Sequence, residues 1–199
     1  MMLVEETTVP GAALPVEEFK AHLRLGTGFS GATVQDAVLE SFLRAAIAAI
    51  EARTGKVLIA RDFSWTVSQW READMQPLPV APVSAVSAVE IEDAGGAVSV
   101  ADAGTYRLVA DTHVPKLRAT GACLPGIPAG GGAKVVFTAG YGADWGALPA
   151  DLGQAVMLLA AHYYEYRDET ALGQGCMPFG VTSLIERYRV MRAGFGAVQ

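Results

Sequence analysis

The chain has 199 residues, a length typical of one domain or of one domain that carries a large insertion. Hydrophobic residues make up 51% and charged residues 18%, a composition that excludes a disordered chain. The formal net charge of -6 argues against a protein that coats nucleic acid, because phosphate binding needs clustered lysine and arginine.

The sequence also predicts a soluble intracellular protein. No apolar run approaches the roughly 18 residues of a membrane span. The N-terminus has no basic segment before an apolar run, so it does not have the pattern of a signal peptide. Cys123 and Cys176 are therefore expected to be free thiols.

Two helices are predicted near the start of the chain. Pro15 suits a first helical turn, and the first helix runs from there to Arg24. The second begins at Thr33, which forms a capping pattern with Asp36, and ends at Gly55. Its apolar positions recur at helical spacing and predict a buried stripe, formed by Val34, Val38, Phe42, Ala45, Ala46, Ala49 and Ile50 and widened by Leu39, Leu43 and Ile47.

The hydrophobic period changes from near 3.6 to 2 after Lys56, which predicts a β region over 56–142. Prolines at 77, 79 and 82 predict a turn, and residues 93–96 a hairpin turn. Strands are predicted at 63–67, 83–91, 97–100, 105–110, 114–119 and 134–139.

A third helix is predicted from Pro149 to about Asp168, and it is the expected packing partner of the helix at 34–54. Ser183 and Glu186 form a capping box that predicts a short helix up to about Arg192. The fold class is therefore α+β: a small helical bundle with an antiparallel β insertion between its second and third helices. The predicted units are a helical core at 1–55 and 143–192, the insertion at 56–142, and a flexible C-terminal tail at 193–199.

No arrangement of side chains in the sequence predicts catalysis. His162 and Glu165 lie one helical turn apart, but a helical di-metal site needs that pair twice. The glycines at 130–132 precede Lys134, yet a strand follows them where a phosphate loop requires a helix. Glu90 and Glu92 are interpreted as a solvated strand face. We expect no catalytic site, metal or cofactor, and no enzyme.

Charge is distributed unevenly between the two ends of the chain. Residues 1–19 contain four glutamates and no basic residue, whereas residues 181–199 contain Arg187, Arg189 and Arg192 against Glu186 alone. Such an asymmetry could orient neighbouring subunits or a partner, or it could be simple solvation.

Several short motifs follow one another in an order that resembles the head-tail connector, or adaptor, family of long-tailed bacteriophages and phage-like gene transfer agents. They are VEEFKAHLR at 16–24, IEARTGK at 50–56, PVAPVSAVSAV at 79–89, FTAGYG at 137–142, LP at 148–149, YYEYR at 163–167, FGV at 179–181, LI at 184–185 and YR at 188–189.

The resemblance implies a structural protein of the particle neck that is assembled in the host cytoplasm. It implies a closed ring of about twelve subunits under the portal protein. That ring would extend the DNA channel without specific DNA binding and would dock the next neck or tail protein, such as a stopper. The resemblance brings no catalytic residues and no membrane association, and it leaves the role of 56–142 open.

We expect the C-terminal segment to contact the portal through Arg187, Tyr188, Arg189, Arg192 and Phe195. The glycines around Phe195 leave the backbone free, and ordering would follow when a partner supplies a groove and acidic groups. The alternative is an inert frayed terminus. Two rival functions also remain open: another neck component, such as a stopper or tail-completion protein, and an enzyme whose site has no local motif.

Overall fold

The computed structural model describes residues 2–25, 33–167 and 177–189, and side-chain detail on the second helix starts at Gln35. The fold is α+β, as the sequence predicts. Its helices are α1 (Val16–His22), α2 (Thr33–Thr54), α3 (Ala150–Glu165) and α4 (Phe179–Ile185). Short 3-10 turns lie at Gly11–Ala13, Ala103–Thr105, Trp145–Ala147 and Glu186–Tyr188. Within the described ranges, no helix is both long and apolar enough to cross a membrane.

The strands form two antiparallel sheets. They are β1 (Met2–Glu5), β2 (Arg61–Val67), β3 (Met75–Pro77), β4 (Val83–Glu92), β5 (Val98–Val100), β6 (Tyr106–Val109), β7 (Lys116–Ala119) and β8 (Gly132–Ala139). The larger sheet has the order β1-β2-β8-β4-β5, and the smaller has the order β3-β7-β6. In chain order, β2 to β8 lie between α2 and α3.

Helix α2 packs against α3 through one part of the predicted stripe, and the rest of that stripe is less buried than the sequence suggests. Val38 is 43% exposed, and Phe42 is only partly buried, with its ring edge-on to Tyr164 at a centroid distance of 6.0 Å. Positions one residue apart differ by about 100° around a helix. The inner face is therefore the one carrying the larger aliphatic side chains, and its buried residues are Leu39, Leu43, Ala46, Ile47 and Ile50.

The short C-terminal helix begins earlier than predicted. Pro178 (φ -53°) precedes its first residue, Phe179, and the helix ends at Ile185 before a 3-10 turn. The expected capping box at Ser183 is wrong, because Ser183 lies inside the helix. A proline at the start of a helix has its φ fixed near the helical value, and its missing N–H would have had no partner in the helix. Pro178 is therefore a stronger start signal than the side chain of Ser183.

The N-terminal residues belong to the larger sheet, whereas the sequence predicted them to be part of the helical core. Met2 pairs with Thr66 and Glu5 with Phe63 along the edge of β2. A four-residue segment has too little periodicity of its own to reveal such a strand. Strand β3 is likewise a finding the sequence did not predict, since Pro77 stands at its end, where a missing N–H is tolerated.

The two sheets enclose an aromatic and β-branched core. Strand β8 alternates regularly between half-buried and buried residues, with Val135 and Phe137 wholly inside. The Phe137 ring stacks on Phe63 at a centroid distance of 5.8 Å. This cluster is separate from the helical one, which lies between α2, α3 and α4.

A buried arginine joins the helices to the larger sheet. The Arg61 side chain is 8% exposed, and its NH2 group lies 2.7 Å from Glu51 of α2. Its Nε lies 2.8 Å from Glu5 of β1. Glu51 Oε1 also accepts the backbone N–H of Leu58 at 2.7 Å. We call these three charged residues, Glu5, Glu51 and Arg61, the junction triad.

The chain returns to the helices at Gly140, next to this junction. Gly140 has φ +137°, and an added Cβ there would lie 2.4 Å from Ala60 Cα. Only glycine allows this close approach of two backbones.

Candidate interaction surfaces

The residues considered for catalysis do not converge. His162 packs beside Tyr166 with ring centroids 4.7 Å apart, and Glu90 lies 3.8 Å from Lys134 on the neighbouring strand. Gly130 has φ +78°, and the segment leads directly into β8. Within residues 2–25, 33–167 and 177–189, no group of three histidines, cysteines or carboxylates is placed to hold a metal. The surfaces described next are therefore the candidates for function.

The end of the described chain is fixed to the start of α3 by Tyr188. Its side chain is 6% exposed, and its hydroxyl donates to Asp151 Oδ1 at 2.7 Å. Arg187 donates to the same hydroxyl at 2.5 Å and lies 2.8 Å from Asp151 Oδ2. A carboxylate in the first turn of a helix is also stabilised by the helix dipole. Asp151 thus holds the C-terminal segment at a defined point of the helical core.

Tyr141 completes this cluster without a hydrogen bond of its own. Its ring meets Tyr188 edge to face at 6.5 Å, and its hydroxyl is buried with no partner among the described residues. Burial raises the pKa of Tyr141 to about 12, and the charges of Tyr188 and Asp151 add to the effect. The FTAGYG motif therefore supplies packing at this position.

The predicted portal-contact residues lie in different environments. Tyr188 is buried, whereas Arg187 and Arg189 are exposed, and Arg189 lies 3.4 Å from Glu186. Arg192 and Phe195 lie outside the described residues, as does Cys176, while Cys123 is a free, exposed thiol.

The charge asymmetry of the two chain ends is partly neutralised inside the molecule. Glu5 belongs to the junction triad, Glu17 pairs with Lys20 at 2.7 Å, and Arg187 pairs with Asp151. Fewer charges than the sequence suggests are therefore available to a partner.

A groove of about 840 Å³ opens where α2 ends, beside the last residues of β2. Apolar side chains form part of its wall: Trp65, Val67, Leu78 and Val114. Its basic side chains come from four separate parts of the sequence: Arg53, Arg71, His113 and Arg189. None of the described residues that line it is a carboxylate, so we call it the basic groove.

A buried lysine holds one wall of the basic groove. Lys56 is 1% exposed, and its ammonium donates to the Thr112 carbonyl at 2.5 Å and lies 3.2 Å from His113 Nδ1. Burial lowers the pKa of Lys56, because a charged amine is costly away from water. The loop containing His113 is further fixed by Asp111, whose carboxylate accepts the backbone N–H groups of His113 and Val114.

The hairpin between β4 and β5 is the most exposed part of the larger sheet. Every residue from 92 to 100 is exposed, and Val98 and Val100 are 59% and 68% exposed. Asp93 Oδ1 accepts the backbone N–H groups of Gly95 at 2.8 Å and Ala97 at 2.9 Å, so the turn is preformed. The sequence predicted this hairpin but not its exposure.

Sequence reasoning missed the basic groove altogether. Its arginines lie at positions 53, 71 and 189, and no local motif connects them. The fold brings them to one opening from the end of α2, from the segment after β2 and from the residue after the last 3-10 turn.

Comparison with known proteins then identifies the chain. No family model and no curated protein matches it. Among solved structures, a chain in the neck of an empty gene transfer agent particle computed with C6 symmetry is 56% identical, with a TM-score of 0.89. The match covers 98% of this chain and 99% of that chain. The chain belongs to the head-tail connector family of phage-like gene transfer agents.

Two further structures agree with this assignment of the connector. A chain in the virion of a native gene transfer agent particle is 55% identical, with a TM-score of 0.85. A chain in the neck of a native particle computed with C12 symmetry is 52% identical, with a TM-score of 0.84. Both matches cover 98% of this chain and 99% of that chain. The connector is accordingly a structural component of the particle neck.

Proposed function

We propose that this connector is the adaptor of the neck: about twelve copies form a ring under the portal, extend the DNA channel and dock the next neck protein. The observation that supports this function is the full-length similarity to neck chains computed with C6 and C12 symmetry. The connector acts by binding and by shape, and catalysis plays no part. The net charge of -6 suits a channel through which DNA must slide, because dense basic contacts would hold it.

The proposed division of the chain places the connector core at 1–55 and 143–192, the insertion at 56–142 and a tail at 193–199. The two separate hydrophobic clusters support this division, with two changes: Met2–Glu5 belongs with the inserted sheet, and Leu58 and Ile59 pack in the helical cluster. The junction triad then connects the two units.

The C-terminal segment is proposed to contact the portal through Arg187, Arg189, Arg192 and Phe195, whereas Tyr188, which the sequence placed among the contact residues, is buried and would position the segment. The fixation of Tyr188 to Asp151 supports this, because it gives the segment a constant point of departure. Deleting residues 193–199 should leave the melting temperature unchanged while filled heads fail to join tails. Particle assembly at the full level would show that the portal contact lies elsewhere.

Electron microscopy of the purified connector mixed with purified portal tests the adaptor role directly. We expect a ring seated on the portal, formed from copies that are mostly monomeric in dilute solution. A connector that leaves the portal bare and binds purified tails would instead be a stopper or tail-completion protein. The matched control is the connector lacking residues 193–199, mixed with the same portal.

A further inference from the structure

A closed ring built from identical copies needs two different surfaces on each copy, because every contact is head to tail. We propose that the β4–β5 hairpin of one connector docks in the basic groove of the next. This inference rests on the ring of the proposed function and names the surfaces that close it. The occupant of the groove is thus a second copy of this chain.

The hairpin presents acidic and apolar groups together. Glu92 pairs with Val98 across the two strands, and Glu90 pairs with Val100, so these side chains share one face of the sheet. Asp93 lies at the turn, and no basic residue occurs from 90 to 102. Exposed valines beside carboxylates match a partner surface that is apolar and basic.

The basic groove has that complementary character. Arg71 and Arg53 are exposed at its opening, and the side chains of Val67, Leu78 and Val114 offer apolar contact. Complementary charge selects one register and one orientation between partners and speeds their encounter. A second copy arriving hairpin first would bury the two most exposed valines of β5 against this wall.

The two surfaces lie on different strands of the larger sheet, although Val67 of the groove and Glu92 of the hairpin also line one smaller cavity at the same end of that sheet. The groove is lined by the end of β2, which is the neighbour of edge strand β1, whereas β5 is the other edge strand. Copies arranged with the β5 edge of one facing the β1–β2 side of the next therefore form a heterologous contact.

Both surfaces are preformed. The Asp93 turn fixes the hairpin, and Gly96 supplies the positive φ of +83° that the turn requires. Lys56 fixes the loop at His113 on the groove. Binding then costs little ordering entropy, which suits weak contacts that become stable only when a ring closes.

Reversing one charge on each surface gives a sharp test. Arg71→Glu damages the groove and Glu92→Arg damages the hairpin, and both residues are exposed. Each variant alone should associate about tenfold more weakly than wild type, the effect of one close charge pair. Association is measured by sedimentation velocity over a concentration series and by counting rings on purified portal.

The decisive measurement mixes the two variants in equal amounts. Each normal hairpin then meets a normal groove, and each reversed hairpin meets a reversed groove. Rings should therefore form from the mixture to within about threefold of the wild-type level, although neither variant forms them well alone. The double variant carrying both changes should behave like the mixture.

Matched controls reverse exposed charges elsewhere. Arg107→Glu on β6 and Glu18→Arg on α1 should leave association unchanged, and all variants should keep the wild-type melting temperature. If wild type forms rings and the Arg71→Glu and Glu92→Arg variants form them equally well, the inference is overturned and the adaptor role stays intact. Absence of wild-type rings even on the portal would overturn both.

Two other outcomes would assign the groove to a different occupant and so contradict the inference. If Arg71→Glu weakens portal binding and spares ring formation, the portal fills the groove. If deletion of residues 193–199 weakens wild-type association as much as Arg71→Glu does, and the two changes together weaken it no further, the C-terminal tail fills the groove.

Discussion

The two hydrophobic clusters of the connector differ in their proportions of small and aromatic residues. The helical cluster buries small side chains such as Ala46, Ala155 and Ala160 between aliphatic ones. The cluster between the sheets buries large rings, among them Phe63 and Phe137. Alanines let helix axes approach closely, whereas sheets lie about 10 Å apart and need larger side chains to fill the space.

This difference explains why one cluster could be predicted in more detail than the other. Strand alternation offers only two faces, so β8 reveals its buried side directly. Helix α2 carries alanine or a larger apolar residue on nearly every side, so period alone leaves several faces eligible. Packing against α3 then decides among them.

The largest expected effect comes from breaking the connection between the clusters. Arg61→Ala leaves Glu51 and Glu5 without their cation, and removing one partner of a buried pair costs about 3–5 kcal/mol. Urea unfolding measures the loss. Arg107→Ala, an exposed control, should change stability by less than about 0.5 kcal/mol.

The Arg61→Ala variant also tests whether the two clusters unfold together. If the junction triad alone couples them, Arg61→Ala should also split one unfolding transition into two, as followed by aromatic fluorescence and by helical circular dichroism. A loss near that of Arg107→Ala would show that the triad contributes no more than a surface ion pair.

The second expected effect tests which face of α2 is buried. Leu43 is fully buried, so Leu43→Ala should cost about 2–5 kcal/mol in thermal or urea unfolding. Phe42 lies at the edge of the cluster beside Tyr164, so Phe42→Ala should cost about 1–2 kcal/mol despite its larger side chain. A larger loss of stability for Phe42→Ala than for Leu43→Ala would show that Phe42 lies on the buried face.

A third, smaller effect is expected where the C-terminal segment joins α3. Tyr188→Phe removes the hydroxyl that donates to Asp151, and a hydrogen bond to a charged group contributes about 1.5–3 kcal/mol. Unfolding curves give the loss. Tyr141→Phe is the matched control, because that hydroxyl is buried without a described partner; equal losses for the two would mean that the hydrogen bond contributes nothing.

The smallest effect is expected from Tyr141→Phe, and only at high pH. The folded pKa of about 12 exceeds the unfolded value of 10.0, so the folded state holds its proton more tightly. The contribution of this group to the free energy of unfolding is fully present below pH 10 and is lost as the pH rises toward about 12. The variant should match wild type at pH 7 and lose less stability between those pH values in a melting series.

A variant curve parallel to the wild-type curve over that range would contradict the assignment. It would show that the Tyr141 hydroxyl already contacts water in the folded protein.

Much of the fold could be predicted from the sequence, because period and turn chemistry are local. Gly55 ends α2 with φ +68°, and Asp93 makes the predicted turn before β5. Strands β1 and β3 could not be predicted, since each is defined by its pairing partner rather than by its own four or three residues.

The candidate surfaces were the least predictable part of the connector. Tyr188 was identified as an interaction residue, but its hydrogen bond to Asp151 depends on the fold and spans 37 positions in the chain. The basic groove depends on four separate parts of the chain meeting. Such sites carry no local signal, because each contributing side chain is an ordinary exposed arginine or histidine until the chain has folded.

The bond between Tyr188 and Asp151 also determines how a mechanical load would travel through the molecule. A pull on the chain beyond residue 189 would act first on that bond and then along the axis of α3. From there it would pass sideways into α2 through their packed faces, and through Glu51 and Arg61 into the sheet. Tension applied at one end is thereby shared between both clusters.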